Sequence, residues 1–131
     1  MLKILAMTEE NQKKSRILVA EDEKSVSKAL MLRLTETGYD VGVAYNGEQA
    51  LKALEKEKYD LLLLDLIMPK VDGFSVLESL KQKNIKIPVV ILSNLSQESD
   101  IKRVKEYGVK DFFVKSYTPL AKILEIVKKY L

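Results

Sequence analysis

Leu61-Leu62-Leu63-Leu64 is an apolar run of strand length that ends in one carboxylate, Asp65. A Pro/Asp/Gly loop, Leu66-Ile67-Met68-Pro69-Lys70-Val71-Asp72-Gly73, follows it. A run apolar at every position reads as a strand covered on both faces, the mark of a central strand in a parallel sheet. A charge inside that run would be costly, so Asp65 is expected at the strand's C-terminal end, where the backbone opens to solvent. In open α/β sheets that edge is where ligands bind. The run therefore calls for helices on both of its faces.

The rest of the chain supplies them. Arg16 to Ala20 reads as a buried strand closed by Glu21-Asp22-Glu23. Lys24 to Thr37 reads as a helix with Val26, Ala29, Leu30 and Leu34 on one face and Gly38 just past its end. Asp40 to Tyr45 alternates like an edge strand, and Asn46-Gly47 opens a helix carrying Ala50, Leu51 and Leu54. Tyr59 to Asp65 is the central strand, and Asp72 can cap a helix with Phe74, Leu77 and Leu80 inward. Ile87 to Leu92 is a further buried strand ending at Ser93, followed by a helix over Ser96–Tyr107 with Ile101 and Val104 inward, stopped by Gly108. Asp111 to Val114 is the fifth strand and ends at Lys115. Thr118-Pro119 reads as a cap and first-turn pair opening a last helix with Leu120, Ile123, Leu124 and Val127 inward.

Strands alternating with helices in this way predict an α/β fold, a doubly wound (βα)5 parallel sheet. Right-handed crossovers leave few strand orders, and the flavodoxin-like order 2-1-3-4-5 puts the switch point between strands 1 and 3. Residues 16–131 are expected to form this domain, with residues 1–15 an N-terminal extension, a polar lead after an apolar start, partly ordered at most.

Composition narrows the chemistry. The chain has 131 residues, enough for one domain with a real core, and no apolar stretch approaches the roughly 20 residues that cross a bilayer. It has no cysteine, which removes disulfides and thiolate metal sites and fits a cytoplasmic protein. With no histidine there is no Ser-His triad, no His-ligated zinc and no imidazole base. The net charge of +3 is spread through mixed lysines and glutamates, which reads as a solvated surface and not as a nucleic-acid footprint.

What remains are carboxylates, lysines and hydroxyls, and four strand ends carry them: Glu21 and Asp22, then Asp65, Ser93 and Lys115. In a parallel sheet these ends share one edge. Taken singly, each is an ordinary turn residue, cap or surface charge, but their joint placement is not ordinary. Converging carboxylates repel unless a cation joins them, and hard oxygen ligands with open positions suit Mg²⁺. An ammonium and a hydroxyl opposite them could bind the oxygens of a phosphoryl group, whose transfer needs mainly positioning and charge stabilisation.

Over residues 16–131 the chain resembles a response-regulator receiver domain of two-component signalling, of the chemotaxis-regulator-like type. The resemblance rests on Ile17 to Glu23, on the D-x-x-M-P-x-x-D-G segment from Asp65 to Gly73, on Ser93 after Val89-Val90-Ile91-Leu92, and on Gly108 through Lys115. It implies that Asp65 is the phosphoacceptor and that Asp22, Asp65 and the backbone carbonyl of Ile67 bind Mg²⁺, with Glu21 acting through a water. It also implies that Ser93 and Lys115 contact the phosphoryl group and that Phe112 stands at the switch aromatic. Such a protein is not an enzyme but a phosphoacceptor that assists its own phosphorylation and dephosphorylation. Its expected donor is a histidine kinase or histidine phosphotransfer protein. Its expected output is an unidentified protein or a second copy, through the fourth helix, fifth strand and fifth helix, with no direct contact to nucleic acid or membrane.

Three positions depart from the family pattern. Glu21 stands for the commoner aspartate, Phe112 lacks a tyrosine hydroxyl, and Ser116 follows Lys115 where proline is usual. The Lys115–Ser116 peptide is expected to be trans, because a cis non-proline bond costs about 3–4 kcal/mol. Two rival readings are a degenerate receiver used as a constitutive interaction module and a Mg²⁺-dependent aspartyl phosphohydrolase. The intact Asp22/Asp65/Ser93/Lys115 set argues against the first. Ile67, which cannot move a proton where that hydrolase class has a second aspartate, argues against the other.

Overall fold

In the computed structural model, which describes residues 14–131, the leucine run is the middle strand of a five-stranded parallel sheet. The elements are β1 (Arg16–Ala20), α1 (Lys24–Thr37), β2 (Asp40–Ala44), α2 (Gly47–Lys56), β3 (Leu61–Leu64), α3 (Gly73–Gln82), β4 (Val89–Ser93), α4 (Glu98–Glu106), β5 (Asp111–Val114) and α5 (Leu120–Tyr130). Their order in the sheet is β2-β1-β3-β4-β5, the order expected from the alternation. Of the lead at 1–15 only Lys14 and Ser15 are described, so the expectation for that segment otherwise lies outside the described residues.

Two apolar layers sandwich the sheet, and the strands' alternation assigns their side chains to one or the other. Leu18, Ala20, Leu62, Leu64 and Ile91 face the layer built with α2, α3 and α4. Ile17, Val19, Leu61, Leu63 and Val90 face the layer built with α1 and α5. All four leucines of β3 are buried, each worth about 1.5–3 kcal/mol of transfer free energy. This burial on both faces makes the run a central strand.

Local signals set the helix ends. Asn46 Oδ1 accepts from Gln49 N at 2.8 Å and Asp72 Oδ1 from Ser75 N at 2.8 Å, so both predicted caps form. Gly38 and Gly108 take φ of +110° and +77°, a left-handed backbone that ends α1 and α4 and that other residues adopt at a cost. Gly73 has a different reason to be glycine. A Cβ there would lie 2.5 Å from the backbone oxygen of Asp65, so α3 begins in direct contact with the chain leaving β3.

Two local expectations are corrected. Ala29 of α1 is exposed, and Ser27 is buried instead, because its hydroxyl donates to the Lys24 carbonyl at 3.2 Å and so enters the core satisfied. Thr118 does not cap α5: its Oγ1 donates backwards to the Val114 carbonyl at 2.7 Å, and Pro119 takes the cap position. Ile126, buried on α5, adds to the inward face read from the sequence.

At the sheet's other end, Arg16 ties three elements together. Its guanidinium donates to Asp40 Oδ2 at 2.9 Å and Glu57 Oε2 at 3.2 Å and lies 4.6 Å from the centroid of Tyr59. This anchors the N-terminal edge, leaving the opposite edge to the functional groups.

Candidate functional site

The strand register decides where the charged residues emerge. Ala20 pairs with both Ala44 and Leu64, and Leu64 pairs with Ile91. Glu21 and Asp65 therefore leave the sheet side by side at the same level. Their amides continue the ladder, Glu21 N donating to Ala44 O at 2.9 Å and Asp65 N to Ala20 O at 3.0 Å. Ser93 pairs with Val114, which places Lys115 one residue beyond that level on the neighbouring strand.

Lys115 reaches back across this edge. Its Nζ donates to Glu21 Oε1 at 2.7 Å, Glu23 Oε1 at 2.9 Å and Asp65 Oδ2 at 3.0 Å. An ammonium has three donors, and all three are used. Glu21 and Asp65 are each only 3% exposed. Their remaining oxygens are also satisfied locally: Glu21 Oε2 accepts from Glu23 N at 3.0 Å and Asp65 Oδ1 from Ile67 N at 3.1 Å.

The electrostatics follow from this packing. Burial raises the Glu21 pKa above its ordinary value, and the nearby Asp65 charge adds to that, while the bonds from Lys115 and Glu23 N oppose it. Burial also works against the Lys115 charge. The bonds to Glu21, Glu23 and Asp65 outweigh that effect, and its pKa ends well above the usual lysine value. Carboxylate oxygens of Glu21, Asp22 and Asp65 lie within 4.8 Å of one another, with Asp22 exposed to solvent. A shallow cleft of about 140 Å³, lined by Asp22, Glu23, Asp65, Ile67, Asn94 and Lys115, opens over the group.

A buried aspartate at the central strand end, a lysine bonded to it and a facing acidic pair are held by a 2-1-3-4-5 parallel sheet. The sequence model of the response regulator receiver domain matches residues 17–128. The chain belongs to the response regulator receiver family. Among curated relatives it is 39% identical over 104 residues to the alkaline phosphatase synthesis transcriptional regulatory protein PhoP of Bacillus subtilis, covering 79% of this chain and 43% of that protein. It is 41% identical over 110 residues to the probable transcriptional regulator ycf27 of Pyropia yezoensis, covering 84% of this chain and 44% of that one. The chain thus spans less than half the length of these relatives.

Among solved receivers, the receiver domain of the Francisella response regulator 1452 superposes with a TM-score of 0.81 at 31% identity, covering 89% of this chain and 96% of that one. Response regulator protein TrrA from Thermotoga maritima, solved in complex with Mg²⁺-BeF, gives 0.76 at 32% identity, covering 89% and 99%.

In this receiver the residues singled out from the sequence fall into two groups. Asp22, Asp65, Ile67 and Lys115 line the cleft, and Glu21, buried beside it, joins them through Lys115 and the neighbouring carboxylates. Ser93 does not line it: the residue is buried, and its Oγ accepts from Leu95 N at 3.2 Å. Phe112 is half-buried and packs on the layer of α2, α3 and α4, while Phe113 packs on the opposite layer. The Lys115–Ser116 peptide is trans, as expected, and Lys115–Tyr117 forms a single 3-10 turn.

Two residues of the site escaped the sequence reading. Glu23 reads as favourable charge before a helix, yet its side chain bonds Lys115 across 92 positions of chain. Asn94 accepts from Ser116 N at 2.8 Å and so ties the loop after β5 to the loop after β4. A polar residue directly after a buried strand was the only signal for it.

Proposed function

We propose that this receiver is a phosphorylation-controlled signalling switch whose phosphoacceptor is Asp65. The observation that carries the reading is the 3.0 Å bond between Lys115 Nζ and Asp65 Oδ2 at the floor of the acidic cleft. It couples a buried carboxylate to a cation that can stabilise charge on an incoming phosphoryl group.

The residues present fit Mg²⁺. The oxygens of Glu21, Asp22 and Asp65 are hard donors within 4.8 Å of one another, and one ammonium leaves the four-carboxylate group with excess negative charge. Asp22, Asp65 and the backbone carbonyl of Ile67 would hold the ion, with Glu21 acting through a bound water. When bound, the ion supplies charge neutralisation for the phosphoryl oxygens.

The donor is a histidine kinase or histidine phosphotransfer protein. An Asp65 carboxylate oxygen attacks the phosphorus of a phosphohistidine, an O–P bond forms as the P–N bond breaks, and the electron pair leaves with the imidazole nitrogen. Lys115 steadies the phosphoryl charge through the transfer. Ser93, whose hydroxyl is turned from the cleft toward Leu95 N, moves to the phosphoryl group, and Phe112 repacks with it. The surface of α4, β5 and α5 then changes its affinity for an output protein or a second copy. The domain belongs in the cytoplasm, where such donors act, and contacts neither nucleic acid nor membrane directly. The domain itself is residues 16–131.

Incubation with acetyl phosphate and Mg²⁺ should add one hydroxylamine-sensitive phosphoryl group, lost in Asp65→Asn. Asp22→Ala should lose both metal binding and labelling, and Glu21→Gln should keep part of each. Labelling of Asp65→Asn to the parent's level would overturn the assignment.

A further inference from the structure

The Lys115 ammonium has no donor to spare for a new ligand. Its three N–H groups go to Glu21, Glu23 and Asp65, so a phosphoryl oxygen can be bound only if one of them is given up. The three partners are not equivalent. Glu21 is buried and would be left with an unanswered charge in a poorly solvated place, and Asp65, also buried, is the group that itself takes the phosphoryl group. The Glu23 side chain is 55% exposed and would be rehydrated on release. Among the described residues no other group bonds the Glu23 carboxylate: it makes no capping bond to α1, although Glu23 occupies the cap position.

We infer that Glu23 is a latch on Lys115, a positioning residue that competes with an incoming phosphoryl group for the ammonium. The inference rests on the phosphoacceptor reading of Asp65. Only the Glu23 end of the pair faces solvent and is rehydrated on release, so the latch is a modest competitor. It sets how readily the cleft accepts its ligand and does not forbid acceptance.

The test is equilibrium binding of beryllofluoride, a non-covalent stand-in for the phosphoryl group, in saturating Mg²⁺, to the full chain. Glu23→Ala removes both latch and charge. Glu23→Asp keeps the charge but is one methylene too short to make the 2.9 Å bond in place. If Glu23 is a latch, both variants bind about two- to fivefold tighter, equivalent to about 0.4–1 kcal/mol. If only Glu23→Ala tightens, the effect is long-range charge and the latch is overturned. Unchanged or weaker binding in both variants also overturns it, the weaker case showing that Glu23 presents Lys115 to the ligand. A parent that binds no beryllofluoride overturns the phosphoacceptor reading and the latch together. Since no cap bond depends on the Glu23 side chain, both variants should stay folded and lose no more stability than the ion pair itself supplies.

Discussion

The guanidinium of Arg103 on α4 lies 4.1 Å from the centroid of Phe74 on α3. Close by, Tyr107 Oη donates to Glu78 Oε2 at 2.7 Å. These two contacts matter because α4 buries little of its own: Val104 is its one buried residue. The helix is held to its neighbour by a cation over a ring and by a phenol on a carboxylate, more than by an apolar stripe.

Loosening those contacts should therefore free α4 while leaving the domain folded. Tyr107→Phe removes a hydrogen bond worth about 0.5–1.5 kcal/mol, and Arg103→Ala a cation–π contact of about 0.5–1 kcal/mol. Hydrogen exchange should show faster opening of the α4 amides in each variant, with protection in β1 and β3 retained. Equal loss of protection across the sheet would mean that α4 unfolds only with the whole domain.

Gly73→Ala should be among the costlier single changes. The added methyl would meet the Asp65 backbone oxygen at 2.5 Å and the Leu66 Cα at 2.7 Å. Neither can swing away as a side-chain tip could. Overpacking of this kind costs about 1–3 kcal/mol, read as a lower midpoint in urea. Displacement of the 65–73 loop should also slow labelling by acetyl phosphate. A variant as stable and as readily labelled as the parent would show that the loop yields at no cost.

Glu21 should give the domain a pH dependence opposite in sign to that of ordinary surface carboxylates. Burial raises its folded pKa above the ordinary 4.5, so the folded state holds the proton more tightly than the unfolded one. The contribution is then fully present below 4.5 and is lost as pH rises through the raised value. Glu21→Gln resembles the protonated form and should be at least as stable as the parent at neutral pH. Its advantage should shrink as pH falls toward 4.5, measured by urea unfolding across the range. An advantage that does not change with pH would assign the effect to packing.

Phosphorylated Asp65 should be long-lived. Ile67, 54% exposed, sets a branched apolar side chain beside the cleft, where it displaces water and offers it no hydrogen bond. Each 1.4 kcal/mol of barrier is about tenfold in rate, so Ile67→Asn, alone or with Leu95→Glu, should speed decay by about one order of magnitude or two. Leu95 packs half-buried on the core and does not line the cleft, so Ile67 is expected to carry most of the effect. Decay no faster than the parent in both variants would rule out this explanation.

Much of this architecture could be read from patterns carried by single segments. The run Leu61 to Leu64 can be buried on both faces only in a central strand, and that placed Asp65 at the working edge. What escaped depends on contacts between distant segments or on competition for one backbone group. Thr118 has the residue type and the neighbouring proline of a helix cap, but the Val114 carbonyl lay within reach and took its hydroxyl. Ser27 looked like a surface residue until the Lys24 carbonyl satisfied it inside the core. Glu23 and Lys115 are 92 residues apart, and no local periodicity encodes that pairing.

The adjacent aromatics of β5 have a consequence for how a partner could read this molecule. Phe112 belongs to the layer under α4, and Phe113 to the layer under α5. If Phe112 repacks on phosphorylation as proposed, the change enters the layer of α2, α3 and α4 directly and reaches the opposite layer only through the sheet. Under that proposal α5 would serve as the fixed datum against which a displacement of α4 is gauged. A partner spanning both helices would measure a relative angle, which does not depend on how the domain is mounted.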